Sequence, residues 1–226
     1  MTIRRVASMP RLLAAVSLVA TALLTTVWTI TEPEMSGDFE GWLASLAEAG
    51  GRAQLSGLAF VLAQLPFLVG VAGLARWLQP SRLATVGGIF AVLGGFGHAV
   101  YGGVMLTHTV MAVDRANASV YAGLLEDLEA TPALLPFMVF GLLGTVIGVL
   151  LLSIAWWRSR TEPRWVAPLL WAFLVVEFVG TNFSEWAVYL STLLYLLAFG
   201  AMALRVGGGS RIASATTVTA RQPEMR

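Results

Sequence analysis

The chain has no cysteine and no lysine, only two histidines, and charged side chains at just 12% of its 226 positions. Without cysteine there is no disulfide, thiolate metal site, iron–sulfur cluster or cysteine nucleophile. The shortage of charge is as restrictive. A soluble domain carries about 25% charged and about 45 to 50% apolar residues, whereas this chain is 57% apolar with a mean hydropathy of +0.77. That leaves too little polar surface to coat a core in water, which excludes an ordinary soluble enzyme and a disordered chain alike. The strings G-x-S-x-G, H-E-x-x-H and G-x-x-x-x-G-K-[ST] are missing as well, so no catalytic or nucleotide-binding motif is present.

What is present is a series of long apolar runs. A bilayer core about 30 Å thick needs roughly 20 apolar helical residues, and six runs meet or approach that: Leu12 to Ile30, Ala53 to Ala75, Leu83 to Val113, Ala130 to Trp157, Trp165 to Ser184 and Trp186 to Leu204. The expected fold class is therefore all-α, a polytopic transmembrane helix bundle of six spans occupying residues 1–206. The Gly-, Ser-, Thr- and Ala-rich segment 207–226 reads as a disordered cytoplasmic tail. Arg4, Arg5 and Arg11 before the first run resemble a secretory signal, but the run continues past Ala20 and Ala22, so an uncleaved first helix is expected.

Orientation follows from charge. All fourteen basic residues are arginine, and with six alternating spans twelve of them share one side, leaving only Arg52 and Arg115 opposite. The opposite side collects Glu32, Glu34, Asp38, Glu40, Glu48, Asp114, Glu126, Asp127, Glu129 and Glu185. Arginine in short flanks holds them in the cytoplasm, so both termini should be cytoplasmic. Tryptophan prefers the headgroup level and gives the same partition: Trp28, Trp42 and Trp186 near the outer boundary, and Trp77, Trp156, Trp157 and Trp165 near the inner. These arginines line membrane flanks and do not alternate with aromatics on a soluble face, so nucleic acid is not an expected partner.

The first two outer loops each carry a short amphipathic stretch, Phe39, Trp42, Leu43 and Leu46 in one and Tyr121, Leu124, Leu125 and Leu128 in the other. Both should lie as helices on the outer membrane surface. They share the string aromatic-x-G-[WL]-L-x-x-L. A second echo, Leu65-Pro66-Phe67 against Leu135-Pro136-Phe137, falls at an offset of 70 residues instead of 82, so duplication and coincidence both stay open. The third span is rich in glycine, and Ala91, Gly95, Ala99 and Gly103 recur every four residues. Such a stripe lets a neighbouring backbone approach closely, which predicts a central helix with Gly144 and Gly148 as partners. A homo-oligomer face uses the same chemistry and stays open.

Polar groups inside a membrane are costly and need an explanation. The main ones are Gln64, His98, His108 and Glu177, with Tyr101, Thr107, Thr145, Asn182, Tyr189 and Tyr195 as milder members. Gln64 and His98 lie near mid-depth, close enough to bond each other. The candidate ligand pocket joins Gln64, His98, Tyr101 and Glu177 and opens outward, with His108 at its mouth. The competing reading has the polar groups satisfied within the bundle and Glu177 snorkelling to the interface. His98 and His108 are ten residues apart on one helix, about 15 Å along its axis, too far to share one haem iron. No cofactor and no metal is expected.

The Arg-flanked first helix, the outer loop from Phe39 to Leu46 and the string Gly94-Gly95-Phe96-Gly97-His98-Ala99 resemble small six-helix integral membrane proteins, uncharacterised as a group, of bacteria with high-GC genomes. The resemblance implies a multi-pass protein of the plasma membrane, the bacterial inner membrane, and assigns no residue a role. Three functions remain in order: a non-enzymatic protein whose outer half binds a lipid-like or small apolar ligand or a membrane partner, a small-solute transporter, and a membrane enzyme or redox subunit.

Overall fold

A computed structural model describes residues 3–34 and 37–208, and all secondary structure among them is helical. The elements are α1 (Ile3–Thr31), α2 (Phe39–Ala49), α3 (Gly51–Trp77), α4 (Arg82–Met111), α5 (Ala118–Ala130), α6 (Leu135–Val139), a π-turn (Phe140–Gly144) running straight into α7 (Thr145–Arg158), α8 (Val166–Phe178) and α9 (Trp186–Gly208). Five helices are long and apolar enough to cross a membrane: Met9–Thr31, Gly51–Trp77, Arg82–Met111, Leu135–Arg158 and Trp186–Gly208. The run expected from Trp165 to Ser184 is shorter. Its helix ends at Phe178 and is followed by one 3-10 turn, Gly180–Asn182, so α8 itself extends only about 20 Å. The last helix runs on through Gly208, two residues past the expected boundary, and the rest of the expected tail lies outside the described residues.

The helices close into a ring. α1 packs on α3 and α9, α3 on α4, α4 on α7, α7 on α8, and α8 on α9. One end of the ring carries Arg76, Arg82, Arg158 and Arg205 at helix termini. The other end is capped by α2 and α5, which pack on each other while α2 also rests on α3 and α4. Asp38 starts α2 by accepting the Gly41 N–H at 2.9 Å, and Gly50, at φ +52°, supplies the turn from α2 into α3.

The apolar face of α2 and part of that of α5 are used on protein: Trp42, Leu43, Leu46 and Leu125 are buried together with Ala53 and Ala112, while Leu124 of α5 stays half exposed. The tryptophans divide in the same way. Trp157, Trp165 and Trp186 are exposed as headgroup anchors would be, but Trp42 and Trp156 are buried and Trp77 stacks on Trp156 with centroids 5.6 Å apart. A second, larger core fills the arginine half of the ring. It is built from Leu18 of α1, Phe67 and Leu74 of α3, Trp156 of α7, Leu170 of α8, and Phe199 and Met202 of α9.

Helix α4 is glycine-rich because it is approached from two sides, although not along the expected stripe. A Cβ on Gly94 would sit 2.5 Å from the Thr145 nitrogen, on Gly97 2.4 Å from the Gly141 nitrogen, and one on Gly148 2.3 Å from the Ala91 nitrogen. Those are backbone contacts, with no side chain that can yield. The other face, Gly88, Gly95 and Gly102, lies against Ala75, Phe67 and Phe60 of α3, whereas a Cβ on Gly103 would meet nothing within 4 Å. Gly144 and Gly148 are thus internal partners of α4, through Gly94 and Ala91 rather than through a four-residue stripe. Gly148→Ala should destabilise the bundle by roughly 1–3 kcal/mol because the α4 and α7 backbones must part. Gly103→Ala should be neutral or stabilise by up to about 1 kcal/mol through helix propensity, and thermal or denaturant unfolding of the two variants checks the contrast.

Candidate functional site

Between the two apolar cores the ring is not filled. A deep chamber of about 140 Å³ is lined by all six ring elements: Thr21, Thr25, Trp28 and Thr29 of α1; Phe60, Gln64 and Phe67 of α3; His98 of α4; Thr145 of α7; Phe173, Glu177 and Phe178 of α8; and Val188, Ser191, Thr192 and Tyr195 of α9. Towards the capped end a vestibule of about 240 Å³ follows, roofed by Trp42 and Leu46 and lined also by Glu32, Tyr101, Met105 and Thr109. A buried void of 10–15 Å³ already holds one water, so each space suits a small molecule. Trp28, Phe60 and His98 line both. Their rings touch in sequence, Trp28 to Phe60 at 4.9 Å and Phe60 to His98 edge-on at 5.8 Å, and form the partition between the two spaces.

The chamber exists because α1 and α9 present short hydroxyl side chains at this level. Thr21, Thr25 and Thr29 recur every four residues and so share one face of α1. Thr21 Oγ1 donates to the Ala63 carbonyl of α3 at 3.0 Å, and the Thr29 and Thr192 hydroxyls meet at 2.9 Å, tying α1 to its two ring neighbours. Tyr195 shares the chamber wall with Thr21 and Thr25. A hydroxyl that bonds its neighbours costs little to bury and fills far less space than leucine, so the hole is a product of packing.

Of the four residues singled out in the sequence, Gln64, His98 and Glu177 surround the deep chamber, and Tyr101 lines the vestibule beside His98. Gln64 and His98 do not bond each other. Gln64 Nε2 donates to the Phe60 carbonyl of its own helix at 2.9 Å, which leaves Oε1 with no donor among the described residues. His98 Nδ1 lies 3.4 Å from Thr145 Oγ1, and its ring rests on Gly141, where a Cβ would approach Cδ2 to 2.9 Å. The π-turn carrying Gly141 and Gly144 therefore makes the seat for His98, and such turns often mark functional sites. Glu177 does not snorkel. Its Oε2 accepts from Ser191, and Oε1 has no donor among the described residues.

His108 is not at the mouth. It is buried beneath α2, where the Trp42 indole N–H donates to its Nδ1 at 3.3 Å and Nε2 finds no partner among the described residues. With Nδ1 accepting, Nε2 carries the proton. The residue thus fixes the roof of the vestibule and does not line it.

Sequence reasoning missed Glu32, which it placed only among the acids of the outer side. The carboxyl faces the vestibule one residue past α1, and burial pushes its pKa up to about 7, with the nearby Glu177 carboxylate adding to the rise and a hydrogen bond from Trp28 opposing it. Asp114, in the other loop, behaves oppositely: hydrogen bonds from Asn117 at 2.8 Å and Tyr121 at 3.2 Å hold it below the usual range and anchor the start of α5.

No family model, curated protein or solved structure matches the chain. Function has to be argued from this geometry.

The Glu32 carboxyl binds its proton more tightly folded than unfolded, so between pH 4.5 and 7 the unfolded state loses a proton that the folded state keeps. Folding stability from this group is fully present at the acidic end and falls as pH rises through that window. Thermal midpoints between pH 4.5 and 8 should fall less steeply in Glu32→Gln than in the parent.

Proposed function

We propose that the chain is a non-enzymatic, six-span protein of the bacterial plasma membrane, both termini cytoplasmic, that binds a small amphipathic molecule through its outer half. The carrying observation is the pair of chambers in series beneath the α2 roof, above a solid apolar core on the arginine side. Pockets that are mostly apolar with a few converging polar groups are the usual form of small-molecule sites. Here the apolar share is Trp42, Leu46 and Met105 in the vestibule, and the polar share is Gln64, His98 and Glu177 in the deep chamber.

The sixth span rests on ring closure. The segment Val166–Asn182 is an apolar helix between α7 and α9, and counting it as a span puts Arg76, Arg82, Arg158, Arg164 and Arg205 on the cytoplasmic side, as the charge rule requires. Tags at both ends should stay hidden from an impermeant reagent in intact cells, and labelling of either end overturns the topology.

Native mass spectrometry of the full chain released from nanodiscs should show one small amphiphile per protein. Met105→Trp, which fills the vestibule, should lose it while keeping its helix content and melting transition. Equal occupancy in both proteins, or no adduct in either, overturns the ligand-binding reading.

A small-solute transporter is the second reading. Pro66 inside α3 and the π-turn Phe140–Gly144 are two points, on two different sides of the ring, where a helix can bend. Protein-dependent flux of a solute into reconstituted vesicles, abolished by Met105→Trp, would favour transport over binding alone.

A further inference from the structure

Both chambers are lined with hydrogen-bond acceptors and carboxyl groups. Among the described residues no arginine lines either one, and the only other ionisable side chains there are His98, Tyr101 and Tyr195. The acceptors are not all used. Gln64 is 8% exposed and lines the deep chamber with no donor to its Oε1 among the described residues, and Glu177 lines it from the opposite side of the ring with its Oε1 likewise without one. An amide oxygen and an ionised carboxylate oxygen accept only, and a ligand that filled the chamber without donating to them would bury them unpaired at a cost. What would pair them must bring N–H or O–H groups. A fully ionised carboxylate or phosphodiester brings none and would be repelled by whatever negative charge Glu32 and Glu177 carry, the two being close enough to act on each other electrostatically.

The partition favours positive charge in the same place. Trp28 and Phe60 stand with tilted faces at 4.9 Å, and Phe173, Phe178 and Tyr195 complete the aromatic share of the deep chamber. Aromatic faces attract ammonium groups, most strongly away from water. The vestibule beyond, where Trp42, Leu46 and Met105 stand beside Glu32 and Tyr101, has room for the apolar body of a ligand.

Building on the ligand-binding reading, we infer that the ligand is a primary ammonium amphiphile whose head donates to Gln64 Oε1 and Glu177 Oε1 in the deep chamber, its short apolar body passing Trp28 and Phe60 into the vestibule. A quaternary ammonium matches less well, because it has charge but no N–H to give to these acceptors.

The test uses the full chain in nanodiscs, with empty nanodiscs as the blank, and calorimetric titration of four probes: n-hexylammonium, hexyltrimethylammonium, n-hexanol and hexanoate. Hexylammonium should bind at least tenfold tighter than hexanol, the quaternary analogue should fall between them, and hexanoate should be the weakest. Glu177→Gln should remove the preference for hexylammonium and leave hexanol within threefold of the parent. Gln64→Leu, which keeps the volume and removes the acceptor, should weaken hexylammonium at least threefold and provides a second arm should Glu177→Gln not fold. Equal binding of hexylammonium and hexanol, tightest binding of hexanoate, or an undiminished preference in both variants overturns the ammonium assignment while the chamber stands as a binding site. Failure of all four probes to bind overturns the ammonium assignment, and the ligand-binding reading falls with it only if the parent also carries no co-purifying amphiphile.

Discussion

A closed ring of six helices must fill its own centre, and this molecule does so over only half its length. Helices in lipid gain little from apolar burial as such, because the tails are as apolar as leucine, so association depends on close packing and on internal hydrogen bonds. The arginine half obtains this from interlocking aromatics and aliphatics around Trp156, Phe67 and Phe199, and from the bare backbone contacts of α4 with α7. In the other half the same helices turn threonine and serine inward, the hydroxyls tie α1 to its neighbours α3 and α9, and the aromatic rings that remain leave the middle only partly filled. The chamber is the complement of that choice of residues.

The cap follows from the same constraint. An open vestibule would leave Trp28, Phe60 and Met105 facing water at the end of the bundle. α2 closes it with Trp42 and Leu46, held down by the Trp42–His108 hydrogen bond and by packing against α5. The two loop helices share a sequence string and bury their leucines alike, Leu43 and Leu125 each being 1% exposed. Where the first has Trp42, the second has Leu124, which is half exposed. The shared string therefore encodes the mutual contact, and the tryptophan is the part that serves the vestibule.

Much of this was legible in the order of residues. Helix ends fall within two positions of the expected ones in α3 and α4, where charge brackets the apolar run, whereas α1 reaches back through Arg11 to Ile3 and α9 runs on through Arg205 to Gly208, because a charged residue ends an apolar run without ending a helix. The length of α8 was not legible, since an apolar run does not reveal that its helix yields to a 3-10 turn at Gly180. Gln64, His98 and Glu177 stood out as polar groups in apolar runs and do face one cavity. The threonines of α1, Ser191 and Glu32 did not stand out. Threonine is unremarkable in a membrane helix, where its hydroxyl returns to its own backbone as Thr26 does to Ala22, and only the neighbouring helix shows which threonines turn inward. Glu32 sits one residue beyond a span, and hydropathy cannot distinguish a carboxyl in water from one folded back under a cap. The glycine stripe misled because a period of four is only one way to place small residues on a face. The true contacts, Gly87 and Gly94 towards α7, Gly97 towards α6 and the π-turn, and Gly88, Gly95 and Gly102 towards α3, interleave two sets on one helix.

The solid half of the ring also bears on whether the proposed ligand would be held or passed on. To open a path on the arginine side, the helices would have to separate Phe67 from Phe199 and draw Trp156, Leu170 and Met202 out of contact. Each large apolar side chain parted from its neighbours gives up about 1.5 to 3 kcal/mol if water takes their place, so several together exceed what one weakly held small ligand can offset. A transport cycle would need a compensating closure elsewhere, and the vestibule and the chamber are the volumes inside the ring that could supply it. Collapse of these spaces would have to proceed through the Trp28, Phe60 and His98 rings, which already touch, and past a His98 seat made of backbone at Gly97 and Gly141. That seat has no flexible side chain to yield. The partition is therefore better suited to admit a ligand by turning a ring than to be crushed by a moving helix, and binding from the capped side is the behaviour the packing favours.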